Sequence, residues 1–154
     1  MKTKPFARRV LVLCSGNTCR SPMAAAWLRQ QHPDWHIVDA GVAPGLGPSN
    51  GLASRVMQEQ GLTVPVLPGK SWTLYRQNSF DHVLVLSKLA AAVMQREAPH
   101  WPVTELLVDD PAVVQGTEAF RLEAYRATAQ ELREKLLEWW ESAGFESDQS
   151  FSVK

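Results

Sequence analysis

Four apolar residues, Val10-Leu11-Val12-Leu13, run directly into Cys14-Ser15-Gly16-Asn17-Thr18-Cys19-Arg20-Ser21-Pro22. No other part of the chain constrains its fold as strongly. A short, continuously apolar run fits a strand buried on both faces, as in a parallel sheet covered by helices. A glycine-containing loop follows, and then a helix start. Ser21 is placed to cap that helix, and Pro22 would occupy its first position, where no amide hydrogen is missed. Met23-Ala24-Ala25-Ala26-Trp27-Leu28 supplies good helix formers, and His32-Pro33 stops the run. Strand, loop and helix in this order form the opening unit of an α/β sheet.

The rest of the chain repeats that alternation. Further strands are expected at Trp35–Ala40, His82–Leu86 and Leu106–Val108. A second helix is expected over Gly51 to Gln60, ended by Gly61, with Leu52, Val56 and Met57 on its apolar face. A third starts from a Ser87 cap and runs to Arg96. The last runs from a Thr117 cap to about Trp140, with Phe120, Tyr125, Ala129, Leu132, Leu136 and Trp139 on one face. The fold class read from this pattern is α/β: a single domain with a four-stranded parallel twisted sheet and helices on both faces. The domain is expected over residues 1–141, with a polar, aperiodic tail over 142–154. Ligands of such sheets bind beyond the carboxyl ends of the strands. That rule puts Cys14, after the first strand, on the same edge as Asp109 and Asp110, after the fourth.

Composition narrows the partners. The chain has 154 residues, 16 basic and 16 acidic, so bulk charge indicates neither a nucleic acid nor a membrane partner. No apolar run reaches the length of a membrane span, and the start of the chain is too short in apolar residues for a signal peptide. A cytoplasmic protein is expected. Its only two cysteines, Cys14 and Cys19, argue against a disulfide scaffold. They also lack a second ligand pair for zinc, because His32, His36, His82 and His100 are scattered. No metal or other cofactor is expected.

The loop after the first strand suits a phosphate-like anion. Gly16 and Asn17 tolerate unusual backbone dihedrals, so the amides of residues 15–19 can turn inward as an anion nest. The helix beginning near Ser21 adds its positive end. Arg20 offers a planar fork that matches two phosphate oxygens. The same positive field favours the thiolate of Cys14, and the Ser21 hydroxyl can donate to that sulfur. A thiolate so placed can attack phosphorus and split hydrolysis into two steps. One carboxyl group can protonate the leaving oxygen and then activate water. Asp109 and Asp110 are the candidates. Asp110 precedes Pro111, which stiffens its loop.

Cys14 to Pro22 resembles the active-site loop of the low-molecular-weight protein tyrosine phosphatases, C-x-G-N-x-C-R-S-P. Asp109-Asp110-Pro111 is similar to that family's Asp-Pro loop. Asp39-Ala40-Gly41 resembles the Ser-Ala-Gly after its second strand, and Phe80-Asp81 with Val83–Leu86 its third strand. The resemblance spans about Arg9 to Trp140. It implies Cys14 as nucleophile, Arg20 as phosphate ligand and Asp110 as general acid. Ser15, Gly16, Asn17, Thr18, Cys19, Arg20 and Ser21 would bind the phosphate, with Asn17 shaping the loop and Ser21 stabilising the thiolate. It also implies that Cys19 can form a reversible disulfide with the nucleophile.

The walls depart from that family. Ala112 and Val113 follow Pro111 where aromatic residues often stand. The loop Val42–Gly47 lacks a tryptophan, and Lys70-Ser71-Trp72-Thr73-Leu74-Tyr75 replaces a basic stretch. Trp72 or Tyr75 would have to supply an aromatic wall. The leading function is hydrolysis of phosphotyrosine in proteins, or of small aryl phosphates; the oligomeric state is left open. The alternatives are arsenate-reductase-like thiol chemistry and a phosphopeptide-binding module with little turnover. Arsenate reduction linked to thioredoxin needs cysteines after Cys19, and there are none. A mere binder needs neither thiol nor acid.

Overall fold

Strand β1 (Arg9–Cys14) lies inside the sheet, as its apolar run requires. In the computed structural model, which describes residues 7–45 and 51–143, it pairs in parallel with β2 (His36–Gly41) and β3 (His82–Val85). Strand β4 (Val103–Glu105) completes an all-parallel sheet in the order β2-β1-β3-β4. The chain leaves β1 toward one flank to make β2, then crosses to the other flank for β3. That reversal opens a crevice at the carboxyl end of β1. There Cys14 is level with Gly41, and Leu13 with Val85.

The strand's two-residue period distributes its side chains between two cores. Val10, Val12 and Cys14 face helices α1 (Arg20–Gln31), α2 (Leu52–Glu59) and α4 (Glu118–Ser142). Leu11 and Leu13 face α3 (Lys88–Glu97) and a 3-10 turn at Trp72–Tyr75. Tyr125, Leu132 and Leu136 of α4 are fully buried. Each such side chain contributes about 1.5–3 kcal/mol of burial. Trp27 of α1 ties the two helices together, donating from its indole to the Ala129 carbonyl at 3.0 Å.

The expected helix signals at three ends are in place. Ser87 accepts from the Ala90 N–H and Thr117 from the Phe120 N–H. After α2, Gly61 has φ 78°, and the N–H groups of Gly61 and Leu62 donate back to Gln58 and Met57. That is the paired closure that a left-handed glycine permits.

Four local expectations fail for tertiary reasons. The fourth strand is Val103–Glu105, not Leu106–Val108. It is an edge strand with exposed ends, so it needs no apolar run. The apolar triplet follows it, still bonded to β3 through Leu106 N–H to Val85 and Val108 N–H to Leu86. Ser21 does not cap α1; Cys19 is the cap residue and no side chain caps it. Phe120 is 62% exposed, because the first turn of α4 precedes its contact with the core. Trp72 is buried against Trp101 and is no part of an open wall. Residues 46–47 of the loop Val42–Gly47, and 144–154 of the expected tail, lie outside the described residues.

Candidate active site

The loop from Cys14 to Arg20 closes around one sulfur. Asn17 takes φ 58°, the only positive φ of a non-glycine residue among the described ones. Asparagine tolerates that region, and here the turn aims its N–H at Cys14 Sγ, 3.3 Å away. Ser21 Oγ lies 3.0 Å from the same sulfur. Asn17 Nδ2 donates to Ser21 Oγ at 2.8 Å and to Asp39 Oδ2 at 2.7 Å. Its Oδ1 accepts the main-chain N–H of Lys70 at 2.7 Å. Cys14 itself is 2% exposed, at the floor of the site.

Arg20 is 7% exposed, an unusual burial for a guanidinium. Nη1 donates to the Val108 carbonyl at 2.8 Å, and Nη2 lies 3.6 Å from Asp110 Oδ2. Nε has no partner. An unsatisfied buried cationic donor is costly, and an anion over the loop would relieve it. The turn after β4 therefore does two things: Val108 orients the arginine, and Asp110 stands beside it.

Asp110 is fixed by its own turn. Its Oδ1 accepts the Ala112 N–H at 2.9 Å, capping a 3-10 turn at Pro111–Val113. The Cys19 thiol donates to the same oxygen at 3.6 Å. Burial, and then the charge of Asp110, push the Cys19 thiol up to about 12. Cys19 is thus protonated at neutral pH, as its donor role to Asp110 requires. A resolving cysteine acts as thiolate, and this environment works against that form. Asp109 is exposed and takes no part in these contacts.

The segment before the 3-10 turn at Trp72 buttresses the loop. Gly41 N–H donates to the Lys70 carbonyl at 2.8 Å, and Gly41 bridges to Ser71. A Cβ on Gly69 would run into the main-chain oxygen of Gly16, and one on Gly41 would stand 2.7 Å from that of Ser15. Gly69→Ala should therefore displace the loop and lower kcat/KM on p-nitrophenyl phosphate by about 10²-fold. Steady-state kinetics beside a melting curve check this; unchanged kinetics would remove Gly69 from the support of the loop.

The site thus assembles the residues expected for catalysis and phosphate binding, with Asp110 rather than Asp109 beside Arg20 and with Trp72 left out. Residues 14–21 form the loop, Asp110 faces Arg20, and Ser15 Oγ donates to Ser87 Oγ at 3.0 Å. Sequence reasoning missed Asp39, Gly69 and Lys70 as members of the site. The one signal for them was a lone carboxylate near the end of an apolar strand, just before Gly41. Two clefts flank the loop. One opens between Ser87–Leu89 and Leu107–Asp110, and the other lies beside Thr18, against residues 63–70. Neither is lined by an aromatic side chain among the described residues.

Residues 9–148 match the low molecular weight phosphotyrosine protein phosphatase family. The chain belongs to that family, and it is a cysteine-based phosphatase. It is similar to an arsenate reductase of Bacillus subtilis (strain 168), at 32% identity over 135 residues, 86% of this chain and 95% of the relative. It also resembles the tyrosine phosphatase Wzb from Escherichia coli K30, solved with sulphate, at 28% identity and TM-score 0.72. That match covers 88% of this chain and 98% of the other. The YwlE arginine phosphatase from Geobacillus stearothermophilus matches at 26% identity and TM-score 0.70, over 90% and 96% of the two chains. The family match and the phosphatase structures favour the phosphatase reading over arsenate reduction. Among the described residues, no helix is long and apolar enough to cross a membrane.

Proposed function

We propose that the enzyme hydrolyses phosphotyrosine in proteins, and small aryl phosphates, with Cys14 as nucleophile and Asp110 as general acid and base. Cys14 Sγ attacks phosphorus, and the P–O bond to the phenol oxygen breaks. Asp110 gives its proton to that oxygen. Water then attacks the phosphocysteine, Asp110 takes its proton, the P–S bond breaks, and phosphate leaves with the thiolate restored. Arg20 and the amides of residues 15–19 hold the equatorial oxygens throughout.

The observation that carries this reading is the buried Arg20 guanidinium, with Nε unpartnered and Nη2 beside Asp110. It supports an anion bound next to a carboxyl group and above the thiol. The depth of Cys14 favours a long phosphorylated side chain over phosphoserine, whose single methylene would bring its backbone against the rim. The two free thiols fit the reducing cytoplasm.

Phosphoarginine meets the same depth requirement. Neither cleft has an aromatic side chain in its lining among the described residues, and this favours it as a second reading, in line with the activity named for the Geobacillus neighbour. Rates on one peptide carrying phosphotyrosine, phosphoserine or phosphoarginine test this. The expected order puts phosphotyrosine first, with kcat/KM at least about 10²-fold above phosphoserine, on the scale of a well-placed pocket contact. A faster phosphoarginine peptide would replace the reading, and turnover of none would overturn it.

A further inference from the structure

Cys19 is the cap residue of α1, yet its side chain accepts none of the first-turn amides. It turns across the site instead, and its single hydrogen goes to Asp110 Oδ1 at 3.6 Å. The buried thiol makes no other side-chain hydrogen bond among the described residues. Burial and the charge of Asp110 both keep that hydrogen in place.

Asp110 needs such a hold. Its side chain is 35% exposed, so packing alone does not fix it. The Ala112 N–H that Oδ1 accepts at 2.9 Å belongs to the same turn and moves with it. That bond shapes the turn without setting its distance from Cys14. The two contacts from outside the turn both come from the start of α1, and they reach different oxygens. Cys19 Sγ donates to Oδ1, while Arg20 Nη2 lies 3.6 Å from Oδ2. A phosphate over the loop competes with Oδ2 for the guanidinium. The neutral thiol is outside that competition and keeps its hold when substrate is bound. The bonds also make the two oxygens unequal. Oδ1 takes two donors, one for each lone pair, and Oδ2 takes neither. A proton on this carboxyl group therefore sits on Oδ2, the oxygen beside Arg20.

We propose that the Cys19 side chain is a positioning group for the general acid: its thiol hydrogen ties Asp110 Oδ1 to the phosphate loop and leaves Oδ2 to give and take the proton. In the first step the O–H bond at Oδ2 breaks, and its proton joins the leaving oxygen as the P–O bond breaks. In the second step Oδ2 takes a proton from the attacking water. Cys19 keeps its own hydrogen throughout, and no disulfide enters the cycle. The inference rests on Asp110 being the acid of the proposed reaction. The thiol touches neither phosphorus nor the leaving group; it acts through Asp110.

The test is kcat/KM of the full chain on phenyl phosphate and on p-nitrophenyl phosphate, in reducing buffer so that no disulfide forms. Cys19→Ala removes the donor. It should lower the phenyl phosphate value about tenfold and the p-nitrophenyl phosphate value about twofold. Cys19→Ser keeps a hydrogen to donate and should bring the first loss back to about threefold. In an Asp110→Asn background, Cys19→Ala should change neither value by more than about twofold, because no proton is left to position. A residue that only stabilises the fold would lower the melting temperature and both rates alike, in either background. Equal losses on the two substrates, no loss, or a full loss that persists beside Asp110→Asn overturns the proposal. If Cys19→Ala does not fold, Cys19→Val, which also lacks a donor, is read in its place. An Asp110→Asn variant that loses both rates equally would instead overturn the acid assignment.

Discussion

Cys14→Ser should reduce kcat on p-nitrophenyl phosphate by at least about 10⁴-fold while leaving inorganic phosphate binding within about threefold of wild type. The two halves of this expectation come from different atoms. Turnover needs a group that is both nucleophilic and able to leave from phosphorus again, and a serine alkoxide is neither at neutral pH. Binding needs the donors: the Arg20 fork, with Nη1 anchored on Val108, and the loop amides around residue 17. Only the Asn17 N–H touches the sulfur, and a serine oxygen at the same place can accept it. The fold should tolerate the change, because the new hydroxyl inherits the Asn17 N–H and Ser21 Oγ as partners in a buried place. Satisfied polar burial of this kind costs about 1 kcal/mol or less. Kinetics and titration calorimetry with phosphate read the two halves separately. Wild-type turnover in the variant would remove Cys14 from the chemistry. Loss of phosphate binding with the fold intact would mean that the thiolate, rather than the cradle, organises the loop.

What the sequence disclosed follows from the range of the interactions. Features decided within three or four residues were legible: the β1 run, the Ser87 and Thr117 caps, the glycine closure at Gly61, and the phosphate loop itself. Features decided by distant contacts were not. Ser21 has the chemistry of a cap, but Cys14 and Asn17 take its hydroxyl. Trp72 has the chemistry of a wall, but the face of the sheet opposite α1 takes its ring. The apolar Leu106–Val108 looks more like a strand than Val103–Glu105 does. Its job is to leave the edge of the sheet and bring the Val108 carbonyl to Arg20. Asp39 and Gly69 show the same limit more sharply. Lys70 reaches Asn17 across 53 positions of sequence, and the close approach of Gly69 to Gly16 has no local signature. The loop alone pointed to the chemistry. The shell that holds the loop in shape became visible only once the chain was folded.

Asp110→Asn separates the two carboxylates that the sequence left open, and its effect should depend on the leaving group. An amide of the same shape keeps an oxygen for the Ala112 N–H and the Cys19 thiol, so the turn should persist. It cannot release a proton to a departing oxygen. General acid catalysis is worth about 10²–10⁴-fold, and most where the leaving group is most basic. Hydrolysis of phenyl phosphate or phosphotyrosine should therefore fall by about 10³-fold, and that of p-nitrophenyl phosphate, whose phenolate leaves readily, by about 10-fold. Asp109→Asn is the matched control, because Asp109 is exposed on the adjacent position and outside the contacts of Arg20. It should leave both rates within about twofold, as surface charge changes generally do. Equal losses on both substrates in Asp110→Asn would mean that Asp110 supports Arg20 and that the proton comes from elsewhere. A leaving-group-dependent loss in Asp109→Asn would transfer the acid role to that residue. The salt bridge from Arg20 Nη2 to Asp110 makes the first outcome the more demanding one. If that contact were the carboxylate's whole purpose, losing its charge would weaken phosphate binding as well as turnover. The Kd for phosphate in Asp110→Asn is therefore the measurement that distinguishes an acid from a brace.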